Sequence, residues 1–492
     1  MTRDKKQRRA QALKSRDLSR RRKVAAILLV LMAIFTYTLG PGLLETYQQR
    51  VNTKAYQSLF QEKVQLLERA VFQEAPPSMD LVEVTMKDEL PSSVVFLSLS
   101  DSIQRARVFV GVGSTLEEAW DKAVAQANAL MEDQPLEPMW LKADVVDLAE
   151  VIPQEALANV LTPYRQHFFH KGIALDPIFQ TAFLEAELNG NDLIDYDDDS
   201  LVLDNINHYL EKTGRPMVEG WPDAYVVFTT MGWFCDENSQ VLPLYGYGEN
   251  GYDTGRRVIP QLNQKVLEGV IASSSQWLFG EIQEDGSFIY GYYPMFNERL
   301  THYNILRHTV SIQPLIWYYT MTGDESLVPQ IDSTLRYLVE DHIEYQNPST
   351  AYVVDRPNNE IKLGGNAVAI IVLDLYMNTF ETEVYRDTAV ALGEGILALM
   401  DQEDGSYYHV LNTDFTPKEA YRTVYYDGEA TYALALLYDM TGDEKWLNAA
   451  TAAVEHFIRE DYTQYRDHWV AYSVNEVSKH VDEPRYDAFA LE

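Results

Sequence analysis

The chain of 492 residues carries 40 lysines and arginines against 74 aspartates and glutamates, which gives a formal net charge of −34. Apolar residues make up 46% of it and aromatic residues 12%, enough for a large core, so general disorder is excluded. Cys235 is the single cysteine, which excludes an intramolecular disulfide. We expect this thiol to be buried as a small apolar group and not to act as a nucleophile.

The charge is divided unevenly between a basic N-terminal tail and an acidic remainder. Residues 1–23 contain eleven basic and two acidic side chains. With this tail at +9, the other 469 residues carry −43. An acidic surface of this size repels phosphate backbones, so nucleic acid is excluded as a partner of the body of the protein.

An apolar segment follows the basic tail. Residues 24–44 contain no charged side chain, and about 20 residues at 1.5 Å each span a bilayer core. Basic residues directly before such a span predict a cytoplasmic N-terminus. We therefore interpret 1–23 as a cytoplasmic tail and 24–44 as an uncleaved signal anchor in the inner membrane, with the bulk of the chain periplasmic or extracellular. A cleaved signal peptide is the alternative, although residues 40–44 form a poor cleavage site.

Two segments come next in the chain. Residues 45–75 have the charged, helical pattern of a stalk, and two adjacent prolines at 76–77 interrupt it. Residues 78–150 change to short alternating runs at 81–86, 94–99 and 106–111, which predict three strands. A capping signature at 114–118 then predicts a helix that extends to about Met131. These elements predict a small α+β domain without a catalytic constellation.

The region from 165 to 492 repeats itself. Glu-Asp-Gly-Ser-aromatic at 284–288 recurs at 403–407, and Tyr-x-Met-Thr-Gly-Asp-Glu at 319–325 recurs at 438–444. Both pairs are 119 residues apart, and a degenerate copy at 376–379 lies midway, so the unit has about 60 residues. Apolar residues at helical spacing on both sides of the Thr-Gly-Asp turn predict an αα-hairpin in each unit. Further hairpins predicted at 176–212, 262–280 and 467–489 give five or six units.

This set of hairpins resembles the six-hairpin α/α-toroid superfamily of glycosidase-like proteins. The Asp-Gly-Ser-aromatic loops and the helices ending in Tyr-x-x-Thr-Gly-Asp carry the resemblance. The superfamily includes glycoside hydrolases, unsaturated glucuronyl hydrolases, polysaccharide lyase domains and sugar epimerases. The resemblance implies a mainly α fold, an α/α toroid at 165–492 preceded by the anchor helix and the α+β domain, and a carbohydrate substrate.

In a toroid, equivalent positions of successive inner helices meet at one end of the ring. His308, Gly365 and Asp427 each lie eleven residues before a marker tyrosine, at the predicted starts of inner helices. We predict Glu429, Asp427 and His308 as proton-transfer groups. Tyrosines suit the apolar faces and polar edges of a sugar, and arginines suit a carboxylate or sulfate. The predicted substrate-binding residues are Tyr303, Asn304, Arg307, Asn366, Arg422, Tyr425, Tyr426 and Tyr292.

Several of these candidates have a structural alternative. Helix capping alone would account for Asn366 and Asp427, and Glu429 in a first helical turn would complement the helix dipole. His308 on a mostly apolar helix is equally expected as a satisfied core histidine. An acidic protein offers Arg307 and Arg422 many ion-pair partners, but both lie in equivalent tyrosine-rich segments, which favours the binding role for them.

Other acidic positions are expected to be structural or peripheral. Asp285 and Asp404 in the repeated turns are predicted to hold the loops. The acidic run at 195–199 is predicted to be a solvated loop, because it lacks the glycine and distal glutamate of a calcium loop. Asp467 begins another predicted helix and is a further candidate for the same end of the ring.

The sequence therefore predicts a membrane-anchored, extracytoplasmic enzyme that cleaves or remodels a polysaccharide, resembling a glycoside hydrolase. One alternative is a uronate lyase or epimerase. Another is a non-catalytic glycan-binding scaffold that acts with other polysaccharide-export proteins. Zinc-ligand spacing, a phosphate-binding glycine loop and a Gly-x-Ser-x-Gly elbow are missing, so no cofactor or metal is predicted.

Overall fold

The computed structural model describes residues 40–82, 90–164, 168–248, 251–293 and 298–491. The protein is mainly helical. Its residues divide into two compact units, one ending at Pro260 and one beginning at Gln261. The predicted anchor at 24–44 lies outside the described residues, apart from the helical backbone of 40–44. Of the helices that are described, none has both the length and the apolar character needed to cross a membrane.

The first unit is built on an eight-stranded sheet. The main strand order is β3-β2-β4-β9-β5-β6, with β1 parallel to β4 and β10 antiparallel to β9. Its elements in chain order are α1 (Gly40–Glu74), β1 (Asp80–Val82), β2 (Ser93–Ser100), β3 (Arg107–Gly113), α2 (Leu116–Asp133), β4 (Trp140–Pro153), α3 (Leu157–Leu161), β5 (Gly172–Ala174), β6 (Ala182–Phe183), α4 (Glu185–Gly190), β7 (Ile194–Asp195), β8 (Ser200–Leu201), α5 (Leu203–Lys212), β9 (Ala224–Cys235) and β10 (Val241–Pro243).

Helices α1 and α2 cover one face of this sheet. Alternation along β2 turns Leu97 toward that face, where it is buried with Phe60 of α1 and Trp120 of α2. The Thr115 side chain caps α2 by accepting a hydrogen bond of 3.2 Å from the Glu118 amide, as the capping signature predicts. The helix predicted at 45–75 is present as α1. Its second half packs into the core that α1 and α2 form with the sheet. Cys235 is buried in the same core, as expected.

The predicted start of the toroid at 165 is wrong, because the chain continues the first sheet beyond that residue. Strands β5 and β9 pair with each other, and the hairpin predicted at 176–212 instead contains β6, α4, β7, β8 and α5. Strands of two or three residues are too short to show alternation in the sequence. The sheet also reaches beyond the predicted α+β domain at 78–150.

The second unit is an array of helical hairpins with strands in its connections. Its elements are α6 (Gln264–Gly280), β11 (Tyr292–Tyr293), β12 (Glu298–Arg299), α7 (Ile305–Thr322), α8 (Val328–Asp341), β13 (Ile343–Asn347), β14 (Thr350–Asp355), β15 (Glu360–Lys362), α9 (Leu363–Thr379), α10 (Arg386–Ala398), β16 (Val410–Asn412), β17 (Pro417–Glu419), α11 (Tyr425–Thr441), α12 (Glu444–Arg459), α13 (His468–Ser478) and α14 (Pro484–Leu491).

Helices α7, α9, α11 and α13 pack in a row in chain order, and α8, α10, α12 and α14 are their hairpin partners. Helix α9 is apolar and buried on nearly all sides, as expected for an inner helix. Over the described residues 298–491 these are four hairpins, fewer than the five or six predicted. The row shows no extensive packing of α13 against α7 within this range.

The predicted repeat is confirmed in its turns. Gly286 and Gly405 have φ of +89° and +80°, and a Cβ at either would lie 2.1 or 2.3 Å from the carbonyl oxygen of Ser333 or Ala452. These two carbonyls are themselves 119 residues apart. Asp285 and Asp404 each accept a hydrogen bond from the amide of the serine two residues later, which confirms their structural role.

Candidate functional site

Three buried carboxylates lie together at the N-terminal ends of two inner helices. Asp427 and Glu429 are in the first turns of α11, and Asp467 is the N-cap of α13. All three residues are less than 8% exposed. The helices approach closely because the residue between the first two is Gly428, where a Cβ would lie 2.5 Å from the backbone nitrogen of Val470. The carboxylates are therefore held together by the helix crossing.

Glu429 makes no hydrogen bond within the described part of the chain, and its Oε2 is fully buried. Burial and the negative charge of Asp467 raise the pKa of Glu429 to about 8. A Cβ at Gly364, in the first turn of α9, would lie 2.4 Å from this oxygen. The missing side chain thus provides the space that the Glu429 carboxyl occupies. At neutral pH the Glu429 carboxyl is protonated and can donate its proton.

Asp427 is oriented by two side chains. Its Oδ1 accepts a hydrogen bond of 2.7 Å from Nε2 of His409, and its Oδ2 accepts one of 2.8 Å from the Tyr462 hydroxyl. Nδ1 of His409 accepts hydrogen bonds from the amides of Arg422 and Thr423, which places the imidazole proton on Nε2. Both oxygens of Asp427 are engaged, which favours an orienting role over the predicted proton transfer.

Asp467 has one engaged and one open oxygen. Its Oδ1 accepts a hydrogen bond of 3.0 Å from the Trp469 amide, which caps α13. Its Oδ2 is buried and has no hydrogen-bond partner among the described residues. Burial raises the pKa of Asp467, and the charge of Asp427 adds to the shift. Asp467 and Glu429 are therefore the two carboxyls with an open oxygen in this cluster.

Aromatic rings surround these carboxylates and extend to the surface. The rings of Tyr421 and Tyr426 lie 4.7 and 5.5 Å from His409, and Tyr426 is buried. Burial, with the charge of Glu429, raises the pKa of Tyr426 to about 12. Tyr421 and Tyr425 are 52% and 47% exposed. The carboxylates are thus bordered by exposed aromatic faces of the kind that stack on sugar rings.

The Arg422 side chain is paired with two carboxylates of the protein. Its guanidinium forms a bidentate pair with Glu360, at 2.6 and 3.0 Å, and a second with Glu419, at 2.6 and 2.8 Å. Although burial opposes the shift, hydrogen bonds from Arg422 and Lys418 lower the pKa of Glu360 to about 2. The acidic surroundings therefore supply both partners of Arg422, and its predicted role as a clamp on a substrate anion stays a prediction.

His308 lies in a different cluster and is fully satisfied. Its Nδ1 bonds the Tyr303 hydroxyl at 2.7 Å, and its Nε2 bonds the Thr334 carbonyl oxygen at 3.0 Å. Burial lowers the pKa of His308 to about 4, so the ring is neutral. Both ring nitrogens are thus engaged within the protein, and the proton-transfer role of His308 stays a prediction. Asn304 caps α7. Arg307 donates to the Tyr290 hydroxyl at 3.1 Å.

Asn366 and Tyr292 also lie outside the carboxylate cluster. Asn366 is fully buried within α9 and accepts a hydrogen bond of 2.8 Å from the Val353 amide, so it ties α9 to β14 and is not the N-cap of the helix. Tyr292 lies on the short β11–β12 hairpin, where its hydroxyl accepts from Arg299. Of the predicted set, the structure brings Glu429, Asp427 and Tyr426 together, with Tyr425 and Arg422 in the adjoining segment.

Sequence reasoning missed His409 and Tyr462. His409 follows the second Asp-Gly-Ser turn, at the position where the first turn has Tyr290, and this difference between the copies is the signal that was available. Tyr462 lies in a single 3-10 turn between α12 and α13 and has no counterpart motif. The described residues contain no group of side chains suited to hold a metal ion.

No protein-family model and no curated protein matches the chain. Among solved structures, a glycoside hydrolase family 76 mannosidase from Bacteroides thetaiotaomicron is 22% identical over 30% of this chain and 43% of its own, with a TM-score of 0.27. This chain therefore spans less than half of that mannosidase.

Two other solved structures are similar over a larger share. D-mannose isomerase is 14% identical over 47% of this chain and 70% of its own, with a TM-score of 0.38. Cellobiose 2-epimerase from Bacillus thermoamylovorans is 12% identical over 46% and 71%, with a TM-score of 0.38. The mannosidase, the isomerase and the epimerase are members of the α/α-toroid glycosidase-like superfamily.

Proposed function

We propose that this protein is a glycoside hydrolase that acts on a neutral polysaccharide, with Glu429 as the general acid. The observation that carries the proposal is a buried, unpartnered Glu429 carboxyl whose pKa is raised to about 8 beside a second open carboxyl. A carboxylic acid that keeps its proton at neutral pH is what protonation of a glycosidic oxygen requires. The four hairpins of α7 to α14 would correspond to part of an α/α toroid.

In this proposal each of the three carboxyl groups has a different role in hydrolysis. Glu429 gives its proton to the departing glycosidic oxygen as the bond to the anomeric carbon breaks. Asp467 acts through its open Oδ2, either by taking a proton from the attacking water or by attacking the anomeric carbon itself. Asp427, fixed by His409 and Tyr462, positions the start of α11.

Charge favours a neutral sugar over a uronate. Within the described residues, no lysine or arginine pairs with Asp427, Glu429 or Asp467, and Arg422 is held by Glu360 and Glu419. A lyase or epimerase acting on a uronate needs a cation to neutralise the sugar carboxylate. The negative charges of Asp427 and Asp467, with no cation beside them, would instead repel it.

The test is to incubate the full chain with a panel of neutral and acidic polysaccharides. New reducing ends without the ultraviolet absorbance of an unsaturated uronate would support hydrolysis. We expect Glu429→Gln to lower kcat about 10²-fold or more while glycan binding is kept. Glu403→Gln, an exposed turn residue, is the control and should match the wild type.

Other outcomes would identify a different function. Absorbance without dependence on Glu429 would indicate elimination. Saturable glycan binding without turnover on any member of the panel would contradict the enzyme proposal and favour a scaffold of polysaccharide export.

A further inference from the structure

The first unit contains a cavity of about 380 Å³ on the face of its sheet that α1 and α2 do not cover. Its floor comes from Ser98 of β2, Val108 of β3, Lys142 of β4 and Phe234 of β9, which are aligned across the four strands. Alternation along each strand places these side chains opposite the core formed with α1 and α2. The volume is within the range of small-molecule pockets, about 300–1,000 Å³.

The roof of this cavity comes from α4 and α5. Leu184, Ala186 and Glu187 border it from the α4 segment, and Tyr209 borders it from α5. Farther along β2, the larger Phe96 fills the same face by stacking on Phe228 at 5.4 Å. The space therefore opens where the strand changes to small side chains.

One end of the cavity has polar atoms without partners. Nη2 of Arg105 and Oδ1 of Asn191 are buried, and neither has a hydrogen-bond partner within the part of the chain that the structure describes. The Arg105 guanidinium lies 5.2 Å from the centre of the Tyr209 ring. Glu187 does not satisfy it, because its oxygens already accept from Tyr209, Arg215 and the Leu184 amide. Nη2 of Arg105 is therefore a buried, positively charged donor without an acceptor among the described residues.

The charges around the cavity leave one positive charge uncompensated. Lys142 pairs with Asp144 at 2.8 Å, and Glu187 pairs with Arg215 at 3.1 Å. Arg105 is the remaining charged side chain of the lining, and it has no ion-pair partner among the described residues. The lining is otherwise mainly apolar, so the cavity combines an apolar body with a single cationic end.

We propose that this cavity binds a small amphipathic carboxylate. The apolar part of the ligand packs against Val108, Leu184 and Phe234, and its carboxylate accepts a charge-assisted hydrogen bond from Nη2 of Arg105. This site is independent of the carboxylate cluster of the second unit, since every lining residue belongs to the first unit.

The test is calorimetric titration of the full chain with octanoate, and with 1-octanol as its uncharged counterpart. We expect saturable octanoate binding that is tighter than octanol binding, and a loss of about tenfold or more in octanoate affinity in Arg105→Met. Arg107→Met is the matched control, because this arginine of β3 does not line the cavity, and it should bind as the wild type does.

Two further variants keep the test decisive if Arg105→Met does not fold. Ser98→Leu fills the floor and should remove binding of both ligands, whereas Asn191→Asp adds a negative charge at the polar end and should weaken octanoate alone. Absence of saturable octanoate binding in the wild type would overturn the proposal. So would unchanged octanoate affinity in Arg105→Met, or in both of the other variants.

Discussion

Glu429 shows how burial changes the chemistry of a single side chain. A carboxyl in the first turn of a helix is ordinarily ionised and complements the helix dipole. Here the carboxyl is 5% exposed, has no donor and lies near Asp467, so the proton is retained. Burial has the opposite effect on His308, because it removes the proton of the ring. Both nitrogens of this neutral ring are hydrogen-bonded, to Tyr303 and to Thr334.

The raised pKa of Glu429 predicts a pH dependence of stability. The folded protein keeps a proton that the unfolded chain releases above its ordinary pKa of 4.5, so the free energy of unfolding falls as the pH rises from 4.5 to about 8. Each pKa unit corresponds to about 1.4 kcal/mol, so a shift from 4.5 to about 8 sets the loss at no more than about 5 kcal/mol. We expect the melting temperature of Glu429→Gln to fall less over this range, as measured by calorimetry. An equal fall in both proteins would contradict the assigned pKa.

At the scale of elements, the crossing of α11 and α13 depends on Gly428. We expect Gly428→Ala to destabilise the protein by about 1–3 kcal/mol or more, because the new methyl group would meet the α13 backbone at 2.5 Å. Gly269→Ala in α6 is the control, since that position faces open space, and it should be neutral or stabilising by up to about 1 kcal/mol. Denaturant unfolding of both variants measures the difference, and equal effects would show that the crossing tolerates a side chain.

The hairpins of the second unit were predictable because their signals are local. A glycine at positive φ, an aspartate cap and an apolar stripe all lie within one 60-residue unit. Strands β5 and β9 were not predictable as neighbours, because their pairing joins residues far apart in the chain. Strands β5 and β6 are close in the chain but too short to show alternation. The candidate site was found only in part for the same reason. Glu429 and Asp427 share a helix turn, whereas His409, Tyr462 and Asp467 reach them through the tertiary fold.

For the whole molecule, the division of charge predicts its orientation in a membrane. Eleven basic residues directly before the apolar segment 24–44 favour a cytoplasmic N-terminus and an exported body. We expect a C-terminal alkaline phosphatase fusion to be active and a C-terminal green fluorescent protein fusion to be dark in a bacterial host. Deletion of 24–35 should reverse both signals. A fluorescent full-length fusion would contradict the proposed orientation.

The 119-residue repeat gives this protein an internal reference for its own chemistry. The two copies share the same turns, caps and carbonyl contacts, yet Tyr290, His308 and Val310 in one stand where His409, Asp427 and Glu429 stand in the other. What the copies have in common is what the scaffold requires, and what distinguishes them is what the site adds. Exchanging these three side chains between the copies would therefore separate catalysis from architecture within a single polypeptide.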